Sequence, residues 1–170
     1  MKVIFSHGKE SGPWGSKIRR LAAIAELNNC TVESIDYSDL MNPDERVARL
    51  SALLQQETDA VVLVGSSMGG YVSLVTAIHC PEKVKGVFVL APALYMPNYA
   101  VQHYPLRSLH NIPVEVVHGW DDDVIPAANA YRFALENRCS IHLIDGDHRL
   151  NESLGVIEPI FAQFLATLAE

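Results

Sequence analysis

Apolar positions follow two alternating rhythms along the chain. Short, nearly unbroken apolar runs rich in β-branched residues predict strands buried on both faces of a parallel sheet, at Lys2–Ser6, at Ala60–Val64, at Lys85–Ala91 and at Pro113–His118. Ser140–Asp145 reads as the last strand, and Thr31–Tyr37, whose alternation is imperfect, as an edge strand. Between the strands, apolar residues recur at helical spacing. Ile18, Leu21, Ala22, Ile24 and Ala25 share one face, opposite Lys17, Arg19, Arg20 and Glu26. Val47, Leu50, Leu53 and Leu54 follow Asn42-Pro43-Asp44-Glu45, which combines an N-cap amide, proline at the first helical position and acids in the first turn. Tyr71–Ile78 and Pro126–Asn137 read as two more helices. A final helix is expected to begin near Ile157, because Gly155 weakens a helix interior and Pro159 suits only a first turn.

Six strands alternating with helices predict an α/β fold: a three-layer sandwich around a mainly parallel, doubly wound sheet with right-handed crossovers. Residues 92–112 break the alternation. They carry Pro92, Pro97 and Pro105 with Tyr95, Met96, Tyr99 and Tyr104, too much proline for one long helix, and form the candidate flap.

The strand ending at Val64 runs into Gly65-Ser66-Ser67-Met68-Gly69, a Gly-x-Ser-x-Gly motif, and a helix follows. Composition alone produces this motif in about one chain in twenty of this length. Its place between a buried strand and a helix makes it a sharp turn with Ser67 at the tip, beside the free amide of Met68 and the positive end of the helix dipole. Ser66 is the poorer candidate, since Val64 stands where its own turn needs glycine.

A serine hydroxyl attacks only when a histidine takes its proton and an acid orients that histidine. Two later strands end in loops that supply both. His118-Gly119-Trp120-Asp121-Asp122-Asp123-Val124-Ile125-Pro126 offers three acids, and Gly146-Asp147-His148 offers a histidine. Asp122 could otherwise cap the helix that starts near Pro126. A metal site drawn from His118, Asp121, Asp123, Asp147 and His148 matches no recognised ligand spacing, so neither metal nor cofactor is expected.

Over nearly its whole length the chain resembles the α/β-hydrolase family, and within it the small lid-less bacterial members that lack two leading antiparallel strands. The family's acid loop, His-Gly-x-x-Asp-x-x-Val/Ile-Pro, selects Asp122 over Asp121 and Asp123, and its Gly-x-His ending selects His148. The resemblance also implies an oxyanion hole from the amides of Lys9, after His7-Gly8, and of Met68. The activity it implies is that of a serine hydrolase of carboxylesterase type, cleaving an ester, thioester or related acyl bond. Peptidase or acyltransferase chemistry on the same residues is the enzymatic alternative, and a binding or scaffolding protein with a degraded site is the alternative from another class. His7 and His118 are expected to buttress their loops.

Composition narrows the partners. The 170 residues are 49% hydrophobic and 19% charged with a net charge of −7, values of one globular domain spanning 1–170 that does not seek nucleic acid or an anionic membrane. Cys30, Cys80 and Cys139 read as reduced structural thiols, and the short apolar start is no signal peptide, so a cytoplasmic protein is expected. No stretch reads as long enough to span a membrane. With no room for a cap, the site should be shallow and bordered by Trp14, Leu94, Tyr95 and Trp120, and its partner a small acyl substrate with an apolar group.

Overall fold

The structure is a computed structural model that describes residues 1–170 apart from the side chains of Ser108 and Leu109. In chain order the elements are β1 (Lys2–Ser6), α1 (Ser16–Leu27), β2 (Thr31–Ile35), α2 (Pro43–Leu54), β3 (Val61–Ser66), α3 (Met68–His79), β4 (Val84–Leu90), α4 (Leu106–Leu109), β5 (Val114–Gly119), α5 (Ala127–Asn137), β6 (Ser140–Ile144) and α6 (Leu154–Ala169). The strands form one parallel sheet in the order β2-β1-β3-β4-β5-β6. The chain moves outward from β1 to β2, then jumps back over β1 to β3. Neighbouring loops at the carboxyl ends of β1 and β3 therefore diverge, and a crevice opens between them.

Every residue of β3 is buried, as its unbroken apolar run requires. Helices cover both faces. One core packs Ile18, Leu21 and Ala25 of α1 and Ile157, Phe161 and Leu165 of α6 against Phe5, Val62 and Phe88. The other packs Val47 and Leu50 of α2, Tyr71 and Leu74 of α3 and Phe133 of α5 against Ile4, Leu63 and Val116. The start signal of α2 works as its residues dictate: Asn42 Oδ1 accepts from the amides of Asp44 and Glu45 at 2.8 and 3.1 Å, satisfying two donors that the first helical turn leaves free.

Two expectations from the sequence are corrected. Helix α6 begins at Leu154, with Gly155 and Pro159 inside it. Both are solvent-exposed, so the hydrogen bond that Pro159 cannot give to the carbonyl of Gly155 is lost on the water side. On the opposite face Ile157, Phe161 and Leu165 are at most 1% exposed, and the Phe161 ring lies 4.9 Å from that of Phe88. Burying three such side chains contributes about 5–8 kcal/mol, more than the roughly 4 kcal/mol that an internal proline and glycine cost together. The second correction concerns length. Asn151–Ala169, 19 residues of mean hydropathy 1.2, is long and apolar enough to cross a membrane; in the fold its apolar stripe lies on the sheet.

The segment 92–112 contains one short helix, α4, and is anchored to its surroundings. The amide of Ala100 donates to Asp44 Oδ2 at 3.0 Å, the amide of Val101 to the Tyr71 hydroxyl at 3.0 Å, and the amides of Leu106 and Arg107 to Asn137 Oδ1 at 3.0 and 3.1 Å. Tyr104, 1% exposed, fills the space between this segment and Phe133.

Candidate active site

Ser67 caps α3 with φ 55° and ψ −118°, a conformation that L side chains rarely adopt and that costs about 1–3 kcal/mol unless its surroundings enforce it. The enforcement comes from two glycines. A Cβ on Gly65 would lie 2.1 Å from the Gly69 carbonyl oxygen, and one on Gly69 would lie 1.9 Å from the Ser6 carbonyl oxygen. Only with hydrogen at both positions do β1, β3 and α3 approach this closely. The Ser67 amide donates to the Leu90 carbonyl at 2.9 Å and its carbonyl accepts from Ala93 at 2.9 Å, tying the turn to β4.

Ser67 Oγ lies 3.0 Å from His148 Nε2, and His148 Nδ1 lies 2.8 Å from Asp122 Oδ2. A carboxylate accepts, so Nδ1 carries the proton and Nε2 is left to accept from the serine hydroxyl. The structure thus joins the serine, histidine and acid picked from the sequence into one hydrogen-bonded chain. Asp121 and Asp123 are exposed, whereas the Asp122 side chain is fully buried. Its Oδ1 accepts from the amides of Val124 and Ile125 at 2.9 and 2.8 Å. The two loops are stitched together by the amides of Trp120 and Asp121, which donate to the carbonyls of Ile144 and Gly146.

His118 Nε2 lies 2.9 Å from the Ile125 carbonyl and 3.1 Å from Asp122 Oδ2, and its buried Nδ1 has no partner among the described residues. It therefore buttresses the acid loop as a neutral ring protonated on Nε2. His7 is also neutral: Nδ1 donates to the Gly8 carbonyl at 2.6 Å, and Nε2 accepts from the Tyr37 amide at 2.9 Å, which a protonated ring could not do. Burial holds both histidines below their ordinary pKa of 6.5. Below about pH 6.5 the unfolded chain takes up protons that the folded one still refuses, so each ring costs stability at up to ~1.4 kcal/mol per pH unit until its folded pKa is passed. The midpoint of urea unfolding is accordingly expected to fall between pH 7 and pH 5; a flat profile would mean that these rings accept protons within the fold.

The loop after β1 lies directly against the serine. A Cβ on Gly8 would sit 3.6 Å from Ser67 Cβ. The amides of Lys9 and Met68 give no hydrogen bond among the described residues, and both residues line a cleft of about 660 Å³ with Ser67 and His148 at its base. The side-chain borders expected from the sequence are corrected. None of Trp14, Leu94, Tyr95 and Trp120 lines this cleft. Leu94 is fully buried, the Tyr95 hydroxyl donates to Glu136 at 3.0 Å, and the two tryptophans project elsewhere into solvent. The 92–112 segment instead contributes Met96 and Tyr99. Among the described residues, no group of three or more His, Cys, Asp or Glu is placed to hold a metal ion.

A sequence profile of the phospholipase/carboxylesterase family matches residues 36–152. The chain belongs to that family. The chain is also similar to acyl-protein thioesterase 1 of Gibberella zeae, 32% identical over 81 residues that cover 44% of this chain and 34% of that protein, so the match spans only about a third of its length. Among solved structures, a candidate hydrolase of the α/β superfamily from Xanthomonas campestris pv. campestris superposes with a TM-score of 0.88 at 29% identity over 98% of both chains. Est1E from Butyrivibrio proteoclasticus shares the fold, with a TM-score of 0.86 at 14% identity over 99% of this chain and 88% of its own.

One residue of this family member went unnoticed in the sequence. Arg46 of α2 is 0% exposed and makes no ion pair among the described residues. Its Nε donates to the Leu40 carbonyl at 2.7 Å, one terminal nitrogen to the carbonyls of His7 and Gly8 at 3.1 Å each, and the other to Lys9 at 3.4 Å. The guanidinium grips three consecutive carbonyls of the loop beside Ser67. The signal was present: Arg46 falls within the buried stripe of α2 shared with Val47, Leu50 and Leu54, where an unpaired charge is out of place.

Proposed function

We propose that the chain is a serine hydrolase of small carboxylic esters or thioesters. Ser67 Oγ adds to the acyl carbon while its proton passes to His148 Nε2. The carbonyl oxygen becomes an oxyanion held by the amides of Met68 and Lys9, and the carboxylate of Asp122 stabilises the imidazolium. The acyl–oxygen or acyl–sulfur bond then breaks as His148 returns the proton to the leaving alkoxide or thiolate, giving an acyl-Ser67. Water, deprotonated by the same imidazole, releases the acid and restores the serine.

The observation that carries this reading is the unbroken chain from Ser67 Oγ to His148 at 3.0 Å and from His148 to Asp122 at 2.8 Å, on a serine held in a strained turn. The likeness to an acyl-protein thioesterase over part of the chain supports including thioesters. A fluorophosphonate probe tests the reading, since it reacts only with an activated serine. Stoichiometric phosphonylation at Ser67 at neutral pH, blocked by unfolding, is expected. Folded protein that stays unlabelled would favour a binding protein that keeps the fold without the chemistry.

A further inference from the structure

The chain carries a net charge of −7, yet the charged side chains lining the wall of its cleft are Lys9, Lys17 and Arg149 against Glu10 alone. Three cations and one carboxylate thus line a cleft in a chain that is acidic as a whole, so its lining is locally more positive than the average surface.

Lys17 is the least exposed of the three cations. It sits half-buried in the first turn of α1, and its ammonium makes no hydrogen bond or ion pair among the described residues. The two carboxylates it faces each accept hydrogen bonds from other groups, and neither pairs with it directly. Asp147 Oδ1, after β6, accepts from the amides of Arg149 and Leu150 at 3.1 and 2.9 Å. Asp122, after β5, is occupied by two amides, His118 and His148. Burial is the main cause that pulls the Lys17 pKa down to about 8; Asp147 and Asp122 raise it and Arg149 lowers it further. A half-buried ammonium with no hydrogen-bonded counter-ion is an unfavourable arrangement that an incoming anion would relieve.

A second observation points the same way. Gly15, Ser16, Lys17 and Ile18 bring the N-terminus of α1 to the cleft wall. The helix has no side-chain cap and no acidic residue in its first turn, so its free amides and the positive end of its dipole add to the lysine charge.

We propose that the cleft selects esters or thioesters bearing an anionic group, carboxylate or phosphate, which Lys17 receives, with Lys9 and Arg149 drawing the substrate in. This deepens the hydrolase reading and rests on it. The anion supplies the direct partner that Lys17 lacks, and attachment at both the acyl carbon and the charge orients the substrate over Ser67.

The test compares kcat/KM for mono-4-nitrophenyl glutarate, which carries a carboxylate, with that for neutral 4-nitrophenyl valerate. The wild-type protein is expected to prefer the glutarate ester. Lys17→Met should lower the ratio of the two values roughly 10- to 100-fold, as loss of a charge-assisted contact dictates, and Lys17→Arg should retain most of it. The wild-type ratio should also fall as pH rises through about 8, since kcat/KM follows the free enzyme's ionisation. As a measurement independent of turnover, free glutarate should slow fluorophosphonate labelling of Ser67 in the wild type and not in Lys17→Met. Equal ratios in wild type and Lys17→Met, with both esters cleaved or Ser67 labelled regardless of glutarate, would overturn the anion subsite and leave the hydrolase standing. Absence of both turnover and labelling would overturn the two together.

Discussion

Ser67→Ala is expected to lower kcat on 4-nitrophenyl acetate by about four to six orders of magnitude, leaving only the rate that an oriented water and the oxyanion donors sustain. The loss is large because nothing near the turn can replace the hydroxyl. Ser66 is buried in β3 and makes no hydrogen bond to His148 among the described residues. Folding should survive, since the close approach of β1, β3 and α3 depends on Gly65 and Gly69 and not on the serine side chain. The backbone gives a companion result. At φ 55° alanine keeps the strain of serine, whereas Ser67→Gly removes it and should raise stability by roughly 1–2 kcal/mol. The urea midpoints should thus rank glycine above alanine while both variants are inactive. A Ser67→Ala protein with wild-type turnover would end the assignment of the nucleophile.

The sequence displayed the centre of this site better than its walls. A strand buried on both faces has to be apolar throughout, so Val61–Val64 declared itself, and the two glycines marked a turn whose geometry admits few other residues. The strand and its loop offered three acids, and it took the resemblance to the α/β-hydrolase acid loop to single out Asp122. Asp121 and Asp123, one step away, emerge facing solvent. Position along a strand or turn is local information. Cleft walls are not: they depend on where loops from distant parts of the chain come to rest. Trp14 and Trp120 looked like borders because they are large and adjoin the right loops, yet they face away, while Met96 and Tyr99 fill the place. Lys17 likewise lies on what periodicity marks as the solvent face of α1, until the loop after β6 arrives beside it. The start of α6 was misplaced for a related reason: helix preference is local and weak, and burial on the sheet outweighs it.

Arg46→Met gives the largest expected effect outside the hydrogen-bonded chain itself. Methionine fills much of the arginine's volume but donates nothing. The carbonyls of His7, Gly8, Lys9 and Leu40 would lose a shared donor. Those near the surface can turn to water, while those of His7 and Gly8, bonded within the buried interior, cannot. At about 1–3 kcal/mol for each carbonyl left unpaired, the expected loss of stability is about 2–5 kcal/mol, read as a lowered urea midpoint. The more telling consequence is kinetic. Released from the guanidinium, the loop carrying the Lys9 amide relaxes, and a displacement of about 1 Å at this proposed oxyanion donor should cost roughly 100-fold in rate. Assayed at a temperature where the variant remains folded, kcat should fall by about that factor with KM changed far less, because the cleft walls from α1 and residues 92–112 are untouched. Arg46→Lys should recover part of the stability but little of kcat, since one ammonium cannot span carbonyls that a planar fork reaches together. A folded Arg46→Met protein with wild-type kcat would show that the arginine holds the interior alone and leaves the reacting atoms to other residues.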